Sequence, residues 1–193
     1  MEKLKKTGTP LKDLFIIEPL VFGDERGYFF ESWNAHDFRE IILDVAFCQD
    51  NQSKSLKGIL RGMHFQFKHP QAKLVRGGYG AVYDVAVDIR PQSPTYGRSF
   101  GIVLSEENKK MLFIPAGFAH GFLTLSELAI FLYKVDIPYN AKDEGGIIWN
   151  DPDLAINWPL AEWGIGESEI KINERDKNLP RIREINFPKT PVH

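Results

Sequence analysis

Between Leu14 and Ile137 the sequence is cut into strand-length apolar runs, and turn residues make the cuts. The runs are "LFIIEPLVF" (14–22), "GYFFESW" (27–33), "VAFCQDN" (45–51), "KGILRGMHFQ" (57–66), "AKLVRG" (72–77), "GAVYDVAVDI" (80–89), "SFGIVLS" (99–105), "MLFIP" (111–115), "GFLTLS" (121–126) and "AIFLYKVDI" (129–137). Stretches such as "FGDERG", "RPQSPTYG" and "SEENKK" separate them. Many short strands without a helical pattern between them pack as a sandwich or a barrel, because βαβ units need a helix at each crossover. One short helix is predicted at 34–42, "NAHDFREII", with Asn34 as N-cap and Phe38, Ile41 and Ile42 at helical spacing. Beyond about residue 150 the strand signals fade. A single domain over 1–193 is expected, with the segment 150–193 wrapping the barrel.

A chain of 193 residues is long enough for one sizeable core. Its net charge of −2 gives no global attraction to nucleic acid or to an anionic membrane. An anionic ligand would therefore have to be held by local cations. No apolar run is long enough to cross a bilayer, and the basic start "MEKLKKTGTP" has no apolar stretch behind it, unlike a signal peptide. Cys48 is the one cysteine, so no internal disulfide can form and a reducing cytoplasm is expected. Between Phe47 and Gln49 it reads as a small packed hydrophobe.

Two runs carry polar groups where apolar ones belong. In "VYDVAVDI", Val82, Asp84, Ala86 and Asp88 share one face, and Tyr83, Val85, Val87 and Ile89 share the other. A barrel interior that tolerates acids fits the first face; for Asp88, next to a turn, a solvent-facing edge fits too. In "ILRGMHFQ", Arg61 and His64 have opposite parity on a regular strand. Both reach one cavity only if Gly62 allows a bulge or bend.

"FIPAGFAHGF" (113–122) resembles the second half of the cupin signature, in which a Pro-Gly turn delivers a histidine into a small double-sheet barrel. Metal-binding cupins assemble three histidines and a carboxylate. Here His64 and His69 are five apart and face opposite sides of a strand, and His64 with His120 alone leaves coordination short. No metal is expected. His69 and His36 read as solvated.

The blocks "ERGYFFESWN", "FCQDNQSKSLKGILRGMHFQ", "KLVRGGYGAVYDVAVDIRPQSPTYG", "IPAGFAHGF", "FLYKVDIPY", "IIWNDPDLAINWP" and "NERDKNLP" occur in this order. Together they resemble the dTDP-4-dehydrorhamnose 3,5-epimerase (RmlC-type cupin) family, from about Leu14 to Ile185. The resemblance implies an all-β cupin fold, the double-stranded β-helix or jelly-roll barrel, with a few short helices. It implies an isomerase of dTDP-L-rhamnose biosynthesis that inverts C3 and C5 of dTDP-4-dehydro-6-deoxy-D-glucose, without cofactor or metal, as a homodimer. It also implies roles: His64 as base with Asp176 orienting it, Tyr133 as acid, and Lys73 beside the C4 oxygen. Arg26, Glu31, Gln49, Asn51, Arg61, His120, Tyr139, Glu144 and Arg175 match the family's substrate-binding positions. The segment before Asp176 is several residues longer than the family's usual one. An epimerase acting at one carbon only, or on a related nucleotide sugar, would share these parts. A nucleotide-sugar-binding cupin that has lost catalysis remains open, and a metal-dependent cupin oxygenase is a more distant alternative.

Overall fold

In the computed structural model, residues 3–42 and 45–187 are described; the last six residues of the predicted wrapping segment lie outside them. Two antiparallel sheets face one another. The larger runs in the order β1 (Leu4–Gly8), β2 (Phe15–Pro19), β10 (Met111–Ile114), β7 (Lys73–Tyr79), β12 (Leu128–Val135) and β5 (Gln49–Leu56). The smaller runs β13 (Glu144–Gly146), β6 (Leu60–Gln66), β11 (Phe118–Thr124), β8 (Ala81–Asp88) and β9 (Ser99–Ser105). A separate hairpin joins β3 (Phe22–Asp24) to β4 (Gly27–Phe29), and the helices are α1 (Ala35–Ile42) and α2 (Glu174–Lys177). This is the all-β cupin jelly roll that the sequence implied.

Strand alternation sorts the core into three layers. Val75, Val82, Ala86, Leu104, Leu112, Phe122 and Phe131 point between the sheets. The outer face of the small sheet, with Met63, Phe65, Val85, Val87 and Leu123, is covered by Leu154, Trp158, Ile165 and Ile182 of the C-terminal segment. On the outer face of the large sheet, Ile17, Leu74 and Met111 pack with Phe38 and Ile42 of α1. Phe131 is 1% exposed, and burying such a ring stabilises by about 1.5–3 kcal/mol. As expected, Asn34 caps α1: its Oδ1 accepts from the backbone N–H groups of His36 and Asp37.

Several sequence readings need correction. The strand placed at 45–51 lies at 49–56, "QDNQSKSL", a stretch without an apolar pattern. Strands β1 and β13 were not anticipated. Cys48 is exposed rather than packed, its thiol donating to the Asp136 carbonyl at 3.1 Å. For Asp88, where interior and edge both fitted, the solvent edge is excluded. The residue is fully buried and accepts from the Arg90 guanidinium and the Ser93 and Thr95 hydroxyls, which pins the 90–97 turn.

The anticipated irregularity at Gly62 is present. Opposite β11, His64 pairs with His120 but Arg61 pairs with Phe122, so β6 carries one extra residue there. Gly62 has φ +110°, and a Cβ at this position would lie 2.6 Å from the Gly121 Cα. Only glycine fits. The bulge switches parity: Leu60, Met63 and Phe65 face outward to the C-terminal segment, while Arg61, His64 and Gln66 reach the interior.

Candidate active site

At one end the space between the sheets is unfilled, leaving a cavity of about 350 Å³. The small sheet contributes Arg61, His64 and Gln66 from β6, His120 and Phe122 from β11, and Glu144 from β13. The large sheet contributes Gln49, Asn51 and Ser53 from β5, Lys73 from β7, and Phe131 and Tyr133 from β12. Tyr139 closes one side, and Asn173, Arg175 and Asp176 approach from α2. Eleven of the thirteen residues singled out in the sequence are thus brought together: His64, Tyr133, Asp176, Lys73, Gln49, Asn51, Arg61, His120, Tyr139, Glu144 and Arg175.

Arg26 and Glu31 are not. Arg26 stands at the tip of the β3–β4 hairpin with its guanidinium on Asp24, and Glu31 pairs with Lys3 and Asn34. Neither lines this cavity of its own chain.

The wall formed by β6 carries a histidine–aspartate pair. Asp176 is fully buried, and its Oδ1 lies 2.8 Å from His64 Nε2 while Oδ2 accepts from the Gly62 N–H at 3.2 Å. The carboxylate is set there by α2: Asn173 caps the helix by accepting from the Asp176 N–H, which fixes the backbone of Asp176 itself. The longer preceding segment does not displace it. Burial pushes the Asp176 carboxyl up, but the bond and charge of His64, the Gly62 N–H and Arg175 outweigh burial and hold it below the ordinary range. Arg175 Nη2 also stands 3.0 Å from His64 Nε2. The Asp176 carboxyl, held ionised, can only accept, so Nε2 donates to it and cannot also accept from Arg175, whose Nε and Nη1 go to Asp176 and Glu144. With Nε2–H so committed, Nδ1 carries the basic lone pair.

Lys73 is 8% exposed, and burial pulls its ammonium down to about 8 against the opposing charges of Asp84 and Glu144. Tyr133 stands on the sheet opposite His64, its phenol raised mainly by burial, with the charge of Arg61 working the other way. His120, stacked on Phe131, donates from Nε2 to Asp84 Oδ2 at 2.8 Å. Burial lowers its pKa, and the Asp84 carboxylate only partly offsets that.

At the mouth, Arg61 Nε is held by Ser55 Oγ at 3.1 Å, which leaves the terminal nitrogens of the guanidinium to the cavity. Gln49 Nε2 donates to Asn51 Oδ1, and the Tyr139 hydroxyl donates to Glu144 Oε2 at 2.7 Å. The sequence reading missed Ser53, Ser55, Gln66, Asn173 and the Asp84–His120 bond. A signal existed for the first two: Gln49, Asn51, Ser53 and Ser55 alternate with exposed residues along β5. Among the described residues, no group of three or more His, Cys, Asp and Glu could hold a metal ion.

The sequence profile described as dTDP-4-dehydrorhamnose 3,5-epimerase matches residues 8–184. The protein of that name from Salmonella typhimurium is 56% identical over 156 residues, 80% of this chain and 85% of its own. The one from Escherichia coli K12 is 52% identical over 179 residues, 92% and 94% of the two chains. The crystal structure of the dTDP-6-deoxy-D-glucose-3,5-epimerase of Legionella pneumophila, in complex with dTDP-4-keto-L-rhamnose, superposes with a TM-score of 0.91 at 42% identity, covering 98% of this chain and 100% of that one.

Proposed function

The chain belongs to the dTDP-4-dehydrorhamnose 3,5-epimerase family, and from that premise we propose how its own residues invert carbons 3 and 5 of dTDP-4-dehydro-6-deoxy-D-glucose on the way to dTDP-L-rhamnose. The C4 ketone acidifies the hydrogens on both neighbours. An epimerase must remove such a proton from one face and return one to the other, so it needs a base and an acid on opposite walls.

His64 is the base. Its Nδ1 takes the proton while Nε2–H stays on Asp176, whose charge stabilises the imidazolium that forms. Electron density moves onto the C4 oxygen, where the Lys73 ammonium stabilises the enolate. Tyr133, on the facing sheet, gives its hydroxyl proton to the carbon from the other side. Arg61 grips the diphosphate, for which a forked guanidinium is suited. Gln49 and Asn51 face the nucleoside, Tyr139 stacks on thymine, and His120 lines the sugar pocket. Glu144 and Arg175 hold the Tyr139 side of the mouth.

One observation carries this reading: His64, paired with the buried Asp176 carboxylate, and Tyr133 line opposite walls of one cavity. The test is turnover in D₂O. Deuterium is expected at both C3 and C5 of the product; protium retained at both defeats the proposal, and exchange at one carbon reduces it to a single-centre epimerase.

The chain acts as one cupin-type domain, in the cytoplasm, and as a homodimer. Phe22, Tyr28 and Phe29 on the β3–β4 hairpin are 58%, 55% and 66% exposed, an apolar face that a second copy would cover. Pairing through this hairpin would bring Arg26 and Glu31 of each copy toward the other's cavity mouth. Sedimentation should give a dimer, and Arg26→Ala should weaken dTDP binding although Arg26 lies outside its own cavity.

A further inference from the structure

We propose that Asp84 is a positioning residue for this reaction: its carboxylate fixes the hydrogen of His120 on Nε2 and supplies the counter-charge that keeps Lys73 an ammonium. The inference rests on the epimerase reading and adds a residue to it.

Asp84 sits mid-strand on β8, with apolar Val82 and Ala86 beside it on the inward face, and it is fully buried. Oδ2 accepts from His120 Nε2, while Oδ1 is buried without a hydrogen-bond partner among the described residues. A carboxylate is costly in such surroundings unless a cation meets its charge. Arg61 and Arg175 are exposed at the mouth, whereas Lys73 is buried with it. The charge of Asp84 raises Lys73 more than that of Glu144 does.

The consequence for the reaction is twofold. With Nε2–H tied to Asp84, His120 presents Nδ1 as an acceptor, able to take a sugar hydroxyl. Burial alone drives Lys73 toward the neutral amine, which cannot stabilise an enolate; Asp84 opposes that. Other titratable groups that line the cavity with Lys73 are Glu144 from β13, His120 from β11, Tyr133 from β12 and His64 from β6. Asp176 and Arg175 bring opposite charges from α2, and Arg61 adds one at the mouth.

The test is Asp84→Asn, which keeps shape and removes charge. We expect the alkaline limb of the kcat–pH profile to move down by roughly one to three units, so that the loss grows with pH, while dTDP affinity stays unchanged. A role confined to packing lowers kcat evenly across pH. Carbon-13 NMR of the lysines follows Lys73 without turnover: its titration should shift down in the variant, and an unmoved titration overturns the proposal. Wild-type D₂O exchange with an unmoved limb sinks this inference alone. If Asp84→Asn does not fold, Lys73→Met is added to it. Coupled charges predict that the double variant regains stability; further loss overturns the idea.

Discussion

His64 Nε2 lies 2.8 Å from Asp176 Oδ1, although 112 residues separate them in the chain. The aspartate reaches the ring because α2 delivers it beneath the β6 bulge, where the Gly62 N–H occupies its second oxygen. Asp176→Asn would turn an NH₂ toward either the His64 N–H or the Gly62 N–H, two donors face to face. Leaving a buried donor unpaired costs about 1–3 kcal/mol, and the ring loses its tautomer and the partner of its imidazolium. The expected result is a modest fall in Tm with a loss in kcat of about 10²–10⁴. A variant with full kcat would show that the carboxylate does not serve the base.

Alkaline inactivation should come from Lys73. Its ammonium is held near 8 by burial, and the enolate needs it charged. The phenol of Tyr133 is raised above its ordinary value, so it stays protonated through the same range. kcat should therefore fall as pH rises through about 8, with one proton lost. Lys73→Arg, charged at all accessible pH, should lose that limb whatever its absolute rate. A limb that persists in it belongs to another group.

Acid lability follows from Asp176 and Asp88. Burial raises each carboxyl, but hydrogen bonds win: from His64, Gly62 and Arg175 at the first, from Arg90, Ser93 and Thr95 at the second. Both are depressed in the folded protein and return to about 3.9 when it unfolds. Their contribution is complete above that value and is lost as pH falls through the folded pKa values, at about 1.4 kcal/mol per unit of depression. Urea midpoints measured from pH 6 downward should decline in this window. Asp88→Asn should be less stable throughout and show a shallower decline.

Tyr133→Phe separates the two proton transfers. His64 still removes the proton and can return it, or a deuteron acquired from solvent, to the face it came from. The variant should incorporate solvent deuterium at carbon while forming the inverted product about 10²-fold or more slowly. NMR in D₂O reads label and configuration together. Inversion at the wild-type rate would assign the acid elsewhere.

What the sequence disclosed follows from where each signal comes from. Strands buried on both faces, such as β8 and β11, announce themselves as near-continuous apolar runs. β5 does not, because its inward residues Gln49, Asn51 and Ser53 line the cavity and its outward ones meet solvent, so neither face is apolar. β1 and β13 are short and polar at the sheet edges. The clash of parity between Arg61 and His64 foretold the bulge. The Asp84–His120 bond was hidden, since it depends on the register of β8 against β11, which no local pattern encodes.

Gly62 is where fold and site meet, and it offers the sharpest structural test. A methyl group there would lie 2.6 Å from Gly121 Cα and 2.7 Å from His120 O, both backbone atoms that cannot swing away. The φ of +110° is also one that alanine rarely adopts. Gly62→Ala must therefore push β6 away from β11 or flatten the bulge, and a flattened bulge turns Arg61 or His64 out of the cavity. It should cost about 1–3 kcal/mol in strain, read as a lower Tm, and activity should fall further than stability alone explains. Gly97 also has a positive φ, +74°, but its added methyl meets nothing within 4 Å. Gly97→Ala should lower Tm through backbone strain while leaving kcat intact. Equal kcat in the two variants would mean that the bulge does not set the position of the base.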